Sequence, residues 1–298
     1  MTDFDNDDPP HNFGGLPDKY TDYKKAKIVV LPVPYDGTST YGKGADKGPD
    51  ALIACSLFVE LYDIETNSEV FKLGIHTAAP LAITNKDDPE KVNNRIQQAT
   101  RKYIKDGKFV VMLGGEHSIS AGFARALHEK HKNLSVLHFD AHGDTRETYH
   151  GSPYNHACVM ARIREFVPSL VQVGIRAIDM DEVKSRKPTQ HMFFSHAIAD
   201  PNNKAWMQQA VDKLTDDVFI SIDLDVFDPA IMPSTGTPEP GGMWWYQFME
   251  FIQKVIAQKN VVGFDVVELA PRKGETAPDF LAAKLVYRIL SMVYAKKK

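Results

Sequence analysis

The sequence predicts an α/β fold, a single-domain three-layer α/β/α sandwich on a mainly parallel sheet. Three observations lead there. Strand-type and helix-type segments alternate along the chain, no low-complexity linker or internal repeat interrupts them, and the unusual polar residues fall at the ends of strand segments. Such alternation comes from strand–helix–strand crossovers, which pair strands in parallel and cover both sheet faces with helices. Ligands of such sheets bind beyond the carboxyl ends of the strands.

Residues 1–26 carry Asp3, Asp5, Asp7 and Asp8, punctuated by Pro9, Pro10, Gly14, Gly15 and Pro17. They read as an extended arm, with one domain over residues 27–298. Residues 27–33 are a β-branched run ended by Pro32 and Pro34, the first strand. In the loop YDGTSTYGKGADKGPD, residues 37–43 fit the start of a phosphate-loop pattern. Gly44 then replaces the required Ser or Thr and no helix begins before Pro49, so phosphate binding is not expected. Pro49 opens a helix to about Asp63, with Leu52, Leu57, Phe58 and Leu61 as its apolar stripe. Asp88 and Pro89 open a second helix that Gly107 stops, and KFVVML (108–113) is a buried strand. Helices over 118–130, 156–166, after Asp179, 203–214, 244–258 and 278–294 then alternate with strands over 134–140, 170–174, 191–194, 218–223 and 261–268.

Composition removes several classes of function. With 298 residues and 43% hydrophobic content the chain can bury a sizeable core. A net charge of -4 gives no electrostatic case for nucleic acid or an anionic membrane. The N-terminus lacks a basic region and an apolar segment, so it is not a secretory signal, and no apolar run approaches a membrane span. Cys55 and Cys158 form neither a disulfide framework nor a metal knuckle. A reducing, cytoplasmic setting is expected.

The chemistry centres on LHFDAHGDTR (137–146), where Asp140, His142 and Asp144 occupy alternate positions. Alternate residues of a strand share a face, and unpaired carboxylates and imidazoles are costly to bury, so this row suits a metal. His138 has the same parity but lies deeper in the strand. His117 follows another strand after Gly114 and Gly115, and Asp223 and Asp225 end a third. Two imidazoles and four carboxylates without thiolate favour Mn²⁺ over Zn²⁺. Four clustered carboxylates repel one another, which favours two cations ~3.5–4 Å apart that share a water and lower its pKa.

GGEHS (114–118), HFDAHGD (138–144) and SIDLDVFDPA (221–230) resemble the three metal motifs of the ureohydrolase family, which contains arginases and agmatinases. The similarity runs from PVPYDGTSTYGKGADKGP to DFLAAKL, and PSTGTPEPGG (233–242) and GSPYNHACVM (151–160) are closer to agmatinases. The resemblance implies an arginase/deacetylase-like fold and two Mn²⁺ ions per subunit with a bridging hydroxide. One ion would be held by His117, Asp140, Asp144 and Asp223, the other by His142 and Asp225, with Asp140 and Asp223 bridging. Attack on the guanidinium carbon would give a tetrahedral intermediate that collapses to urea and an amine. Glu268 matches the glutamate that grips the guanidinium, a planar donor fork that suits a carboxylate. His156 matches the proton-transfer histidine, with His150 a competitor, and Asp144 joins His156 and Glu268 in the implied catalytic group. Cys158 reads as a buried structural thiol.

The implied partner is a small cationic guanidino compound, first agmatine, hydrolysed to putrescine and urea for polyamine biosynthesis. Guanidinobutyrate, guanidinopropionate and arginine are the alternatives, followed by a metal-binding homologue without turnover. Glu147 could assist a cationic amine, whereas Arg146 would repel it unless paired elsewhere. Trp244 and Trp245 read as helix packing. Family members form trimers or hexamers, so a homo-oligomer is expected.

Overall fold

The structure, a computed structural model, describes residues 10–296. Its strands are β1 (Ile28–Val33), β2 (Ile75–Thr77), β3 (Phe109–Gly114), β4 (Ser135–Phe139), β5 (Leu170–Ile175), β6 (Gln190–Phe194), β7 (Asp217–Asp223) and β8 (Asn260–Val267). They form one sheet in the order β2-β1-β3-β8-β7-β4-β5-β6, and the pairs are parallel. The helices are α1 (Asp18–Thr21), α2 (Gly48–Ser56), α3 (Pro89–Lys105), α4 (Ser120–Lys130), α5 (Val159–Ile163), α6 (Met180–Lys184), α7 (Ser195–Ile198), α8 (Ala205–Asp212), α9 (Trp245–Gln258) and α10 (Ala277–Ala295).

Side chains of each strand alternate between two cores. Val29, Val110, Val136 and Phe219 pack with Val92 and Ile96 of α3, Phe123 and Leu127 of α4 and Ile163 of α5. Ile28, Val30, Val111, Leu137 and Ile220 pack with Leu52 of α2, Met207 of α8, Ile252 of α9 and Leu285 of α10. Because both faces are covered, the strands read as continuous apolar runs. The three-layer sandwich expected from the alternation is the fold observed. No helix among the described residues is long and apolar enough to cross a membrane.

Local chemistry sets most boundaries. Asp88 caps α3 by accepting from the Lys91 N–H at 3.1 Å, Pro89 occupies the first turn, and Gly107 leaves the helix with φ 74°. Other boundaries depart from the sequence reading. The helix expected to reach Asp63 ends at Ser56, and Phe58 of its supposed stripe is 75% exposed. Asp63 is drawn instead into a buried ion pair with Arg288 of α10. β2 was not expected, since three residues are too few to show a period. Pro32 lies inside β1, where β2 has already ended at Thr77, opposite Val30, and one side of the strand has no ladder partner. The helix expected from 156 to 166 is a 3-10 turn (His156–Cys158) followed by the short α5. Phe13 and Leu16 of the expected arm are buried against the core, while Asp3, Asp5, Asp7, Asp8 and Pro9 lie outside the described residues.

The connectivity locates the crevice. The chain leaves β3 through α4 and returns in β4, leaving a gap that β8 and β7 later fill. The carboxyl ends of β3, β8, β7 and β4 therefore lie side by side at the point where strand order reverses.

Candidate metal centre

At the end of β3, a Cβ on Gly115 would lie 1.9 Å from the Tyr35 carbonyl oxygen, so only glycine lets the chain pass. Glu116 then caps the 3-10 turn by accepting from the Ser118 N–H, which presents His117 to the crevice. His117 Nδ1 lies 3.1 Å from Asp140 Oδ2, 3.2 Å from Asp223 Oδ2 and 3.4 Å from Asp144 Oδ2. It is buried and has no hydrogen-bond partner among the described residues. Ligands about 2.1 Å from a shared octahedral ion stand about 3 Å from one another, so these spacings fit a cation better than direct pairing. The opposite ring nitrogen, Nε2, is 3.0 Å from Ser221 Oγ, which donates to Asp265 Oδ1 at 2.8 Å. That chain puts the ring proton on Nε2 and leaves Nδ1 bare for a metal.

A second group adjoins the first. His142 Nδ1 lies 2.9 Å from Asp225 Oδ2 and 3.4 Å from Asp140 Oδ1. Asp140 thus turns one oxygen to each group. Asp223 Oδ1 accepts from the Asp225 N–H at 2.9 Å and Asp225 Oδ1 from the Ala141 N–H at 2.9 Å, bonds that fix both carboxylates with Oδ2 toward the histidines. His138 belongs beneath the cluster, not in it. Its Nε2 donates to Asp140 Oδ2 at 2.7 Å and its Nδ1 accepts from the Gln172 amide at 3.0 Å, so both ring nitrogens are engaged.

The electrostatics call for cations. Burial, then the charge of Asp140, raises the Asp144 carboxyl well above the usual range; burial, then Asp225 and Asp140, does the same to Asp223. Burial also opposes charge on Asp140, but His138 and His117 override it and hold its pKa well below normal. Burial opposes charge on His117 as well, and there the Asp140 and Asp223 carboxylates prevail and raise it. Carboxylates that can ionise together only beside positive charge, supplied by the protonated His117 ring or by cations in its place, fit a binuclear divalent site.

A pocket of about 360 Å³ opens over the cluster, with His142, Asp144, Asp223, Asp225, His156 and Glu268 among its lining residues. Glu268 follows β8 with φ 66°, and Asp144 has φ 52°. Non-glycine residues held in this region carry strain that the surrounding structure must support. Glu268 is supported by its N–H donating to the Gly115 carbonyl and by its Oε1 accepting from the His117 N–H at 2.7 Å. Asp144 is supported through Glu182, whose Oε1 accepts from the next residue's N–H, Thr145, at 2.8 Å. Burial, then Asp223 and Glu116, pushes the Glu268 carboxyl well up. Burial likewise pushes Glu116 up to about 7, against hydrogen bonds from Ser118 and Thr38. Burial lowers His156 to about 4, with His142 and His117 adding to the shift, so its ring is neutral at pH 7.

All eight residues named from sequence converge here. Their neighbours include departures. Glu147 turns away from the pocket to Arg162 at 2.7 Å and Arg164 at 2.5 Å, so it does not assist a substrate amine. Arg146 lines the pocket, but it is paired with Asp179 at 3.4 Å and Glu182 at 3.7 Å and lies over the Tyr149 ring. His150 stacks edge-on against Tyr149 and is not in the pocket lining. Trp244 is 57% exposed and Trp245 packs on the core, both outside that lining. Thr38, Gln172, Glu182, Ser221 and Asp265 are supporting residues that went unread. Ser221 shares parity with Asp223, and Gln172 and Asp265 are polar residues inside apolar strands, signals that could have identified three of them.

Comparison with known proteins agrees with this geometry. The model of the arginase family matches residues 26–292. An N(1)-aminopropylagmatine ureohydrolase of Synechocystis sp. is 39% identical over 277 residues, 91% of this chain and 90% of that protein. An agmatinase of Pyrococcus horikoshii is 34% identical over 272 residues, 91% and 93% of the two chains. The solved structure of an agmatine ureohydrolase from Thermoplasma volcanium superposes with a TM-score of 0.86 at 29% identity, covering 97% of this chain and 96% of that one. Motifs, sheet order and full-length similarity thus converge, and the chain belongs to the arginase family, as an enzyme of the ureohydrolase type.

Proposed function

We propose that this ureohydrolase is a manganese enzyme that hydrolyses agmatine to putrescine and urea. The observation that carries the reading is the pairing of two ligand groups through Asp140, with the Glu268 carboxylate and the neutral His156 ring in the same pocket. His117, Asp140, Asp144 and Asp223 would hold one Mn²⁺, and His142 and Asp225 the other, with Asp140 and Asp223 shared. Bound there, the ions supply charge neutralisation and a water acidified toward neutral pH. Glu268 accepts the guanidinium N–H groups and fixes the plane of the reacting carbon. His156 takes a proton and returns it to the departing amine, which must leave protonated.

Another stretch of the pocket wall favours a second reading, an agmatine extended by an aminopropyl group. Two carboxylates, Asp179 and Glu182, face one guanidinium there, Arg146, so this part of the wall carries a net negative charge that suits a distal ammonium. The name of the Synechocystis relative points the same way. Urea release by Mn²⁺-loaded protein, measured across agmatine, N(1)-aminopropylagmatine, guanidinobutyrate, guanidinopropionate and arginine, tests both. Agmatine should lead the guanidino acids by at least about tenfold in kcat/KM. A comparable lead of the aminopropyl compound over agmatine installs the second reading, and a lead by any guanidino acid removes both.

A further inference from the structure

A row of buried polar side chains runs sideways from the metal centre through the sheet. His138 of β4 and Gln172 of β5 are paired in register, and both are fully buried. Gln172 Nε2 lies 2.7 Å from the Gly143 carbonyl oxygen and 3.0 Å from His138 Nδ1, and Gln172 Oε1 lies 2.6 Å from Gln190 Nε2. Gln190 of β6 is buried in turn, and its Oε1 lies 3.3 Å from Arg164 Nη1. Beyond it, Arg164 Nη2 donates to Glu147 Oε1 at 2.5 Å.

The direction of this row is fixed at two points by groups that do not change protonation. A guanidinium only donates, so Gln190 turns its oxygen to Arg164 and its NH2 to Gln172. A backbone carbonyl only accepts, so Gln172 turns its NH2 to Gly143; the reversed amide would set two oxygens 2.7 Å apart. One amide hydrogen goes to Gly143, and the other is left for His138 Nδ1. A ring nitrogen that accepts carries no proton, so the His138 proton sits on Nε2 and is donated to Asp140 Oδ2 at 2.7 Å. Without the amide the ring is free to carry its proton on Nδ1, and Nε2 would then set a lone pair against the carboxylate.

We propose that Gln172 is a positioning residue of the metal centre, one that holds the His138 ring with its N–H toward Asp140 and thereby strengthens the binding of divalent ions by the cluster. The inference rests on the metal reading within the proposed function. Asp140 faces both ligand groups, so a ring that orients it acts on both ion positions. A glutamine that served packing alone would be replaceable by methionine, which keeps the length and loses the amide.

The test uses the full chain, with Mn²⁺ alone as the probe. Gln172→Met should weaken Mn²⁺ binding by about tenfold to hundredfold, read by titration of the metal-free protein. In a His138→Phe background Gln172→Met should change that affinity less than about twofold. Independently of metal, imidazole ¹⁵N shifts of metal-free, histidine-labelled protein should show His138 protonated at Nε2 in the parent. Gln172→Glu keeps the shape and replaces the donor by an acceptor, so there the Nδ1–H form should appear. Unchanged affinity in Gln172→Met, an equal loss in both backgrounds, an Nδ1–H parent, or an Nε2–H form retained in Gln172→Glu overturns the proposal. If the parent binds Mn²⁺ but releases no urea from any guanidino compound, the proposed function fails, and the affinities still decide the role of Gln172. A parent that binds no Mn²⁺ removes both readings. Should Gln172→Met not fold, the ¹⁵N shifts of the parent and of Gln172→Glu decide.

Discussion

Asp140 ties the two ligand groups together, with Oδ2 toward His117 and Oδ1 toward His142, while His138 donates to Oδ2 from beneath. Asp140→Asn keeps the shape and removes the shared charge. It should weaken both metals by more than about 100-fold, beyond the cost of losing a supporting contact alone, as read by metal content after dialysis. Retention of either ion at parental occupancy would show that Asp140 is not shared. His156→Ala should lower kcat by about 100-fold or more and spare metal content, since in the proposed reaction the ring carries a proton and holds no ion. Full activity would pass the proton step to water, since His150 is exposed and outside the pocket lining. The clustering of the candidate ligand residues was legible because carboxylates and imidazoles at alternate positions of a strand end are costly to bury unless a positive charge compensates them. Glu147 and Arg146 were not, because a long side chain chooses its partner in space: Arg162 and Arg164 claim Glu147, and Asp179 and Glu182 hold Arg146 at the pocket.

Among the elements, α10 shows how a distant partner sets a local boundary. Arg288 is 3% exposed and reaches Asp63, also buried, and Glu65 beyond the end of α2. The segment from 57 to 63, helical by its apolar spacing, is held as turns so that Asp63 can meet this guanidinium. Arg288→Met should leave Asp63 buried and unpaired and lower stability by about 3–5 kcal/mol, with the urea midpoint as readout. A midpoint unchanged at the same m-value would show that water already screens the pair. Capping at Asp88 and the stop at Gly107 needed no such partner, and α3 lies where its sequence predicts. β2 went unread for the opposite reason: three residues become a strand only because the edge of β1 is there to pair with them.

On the scale of the whole molecule, the site exists only where four strand ends meet, so metal affinity and global stability are linked. Without cations the raised pKa values of Asp144, Asp223 and Glu268 make the folded chain hold protons that the unfolded chain has already released. Their contribution to stability is present at low pH and lost as pH rises through those raised values. A metal needs the same groups deprotonated. The thermal stabilisation produced by Mn²⁺ should therefore grow from pH 5 to pH 8, with apparent affinity rising about tenfold per pH unit for each proton displaced. A stabilisation independent of pH would show that the ligands release no protons on binding. The family resemblance also predicts a trimer or hexamer, which sedimentation velocity on the metal-loaded protein would read directly.

The sequence by itself determined the sandwich, its parallel sheet and the rows of His and Asp that gather at the candidate metal centre, because period, caps and alternate polar positions are local signals. Tertiary structure decided that Asp140 joins two groups while His138 stays beneath them, since two histidines of equal parity differ only in which partners reach their nitrogens. It also brought Thr38 to His156 and turned Glu147 away. Contacts between segments remote in the chain leave no period to read; they arise when the sheet order sets β3, β8, β7 and β4 side by side.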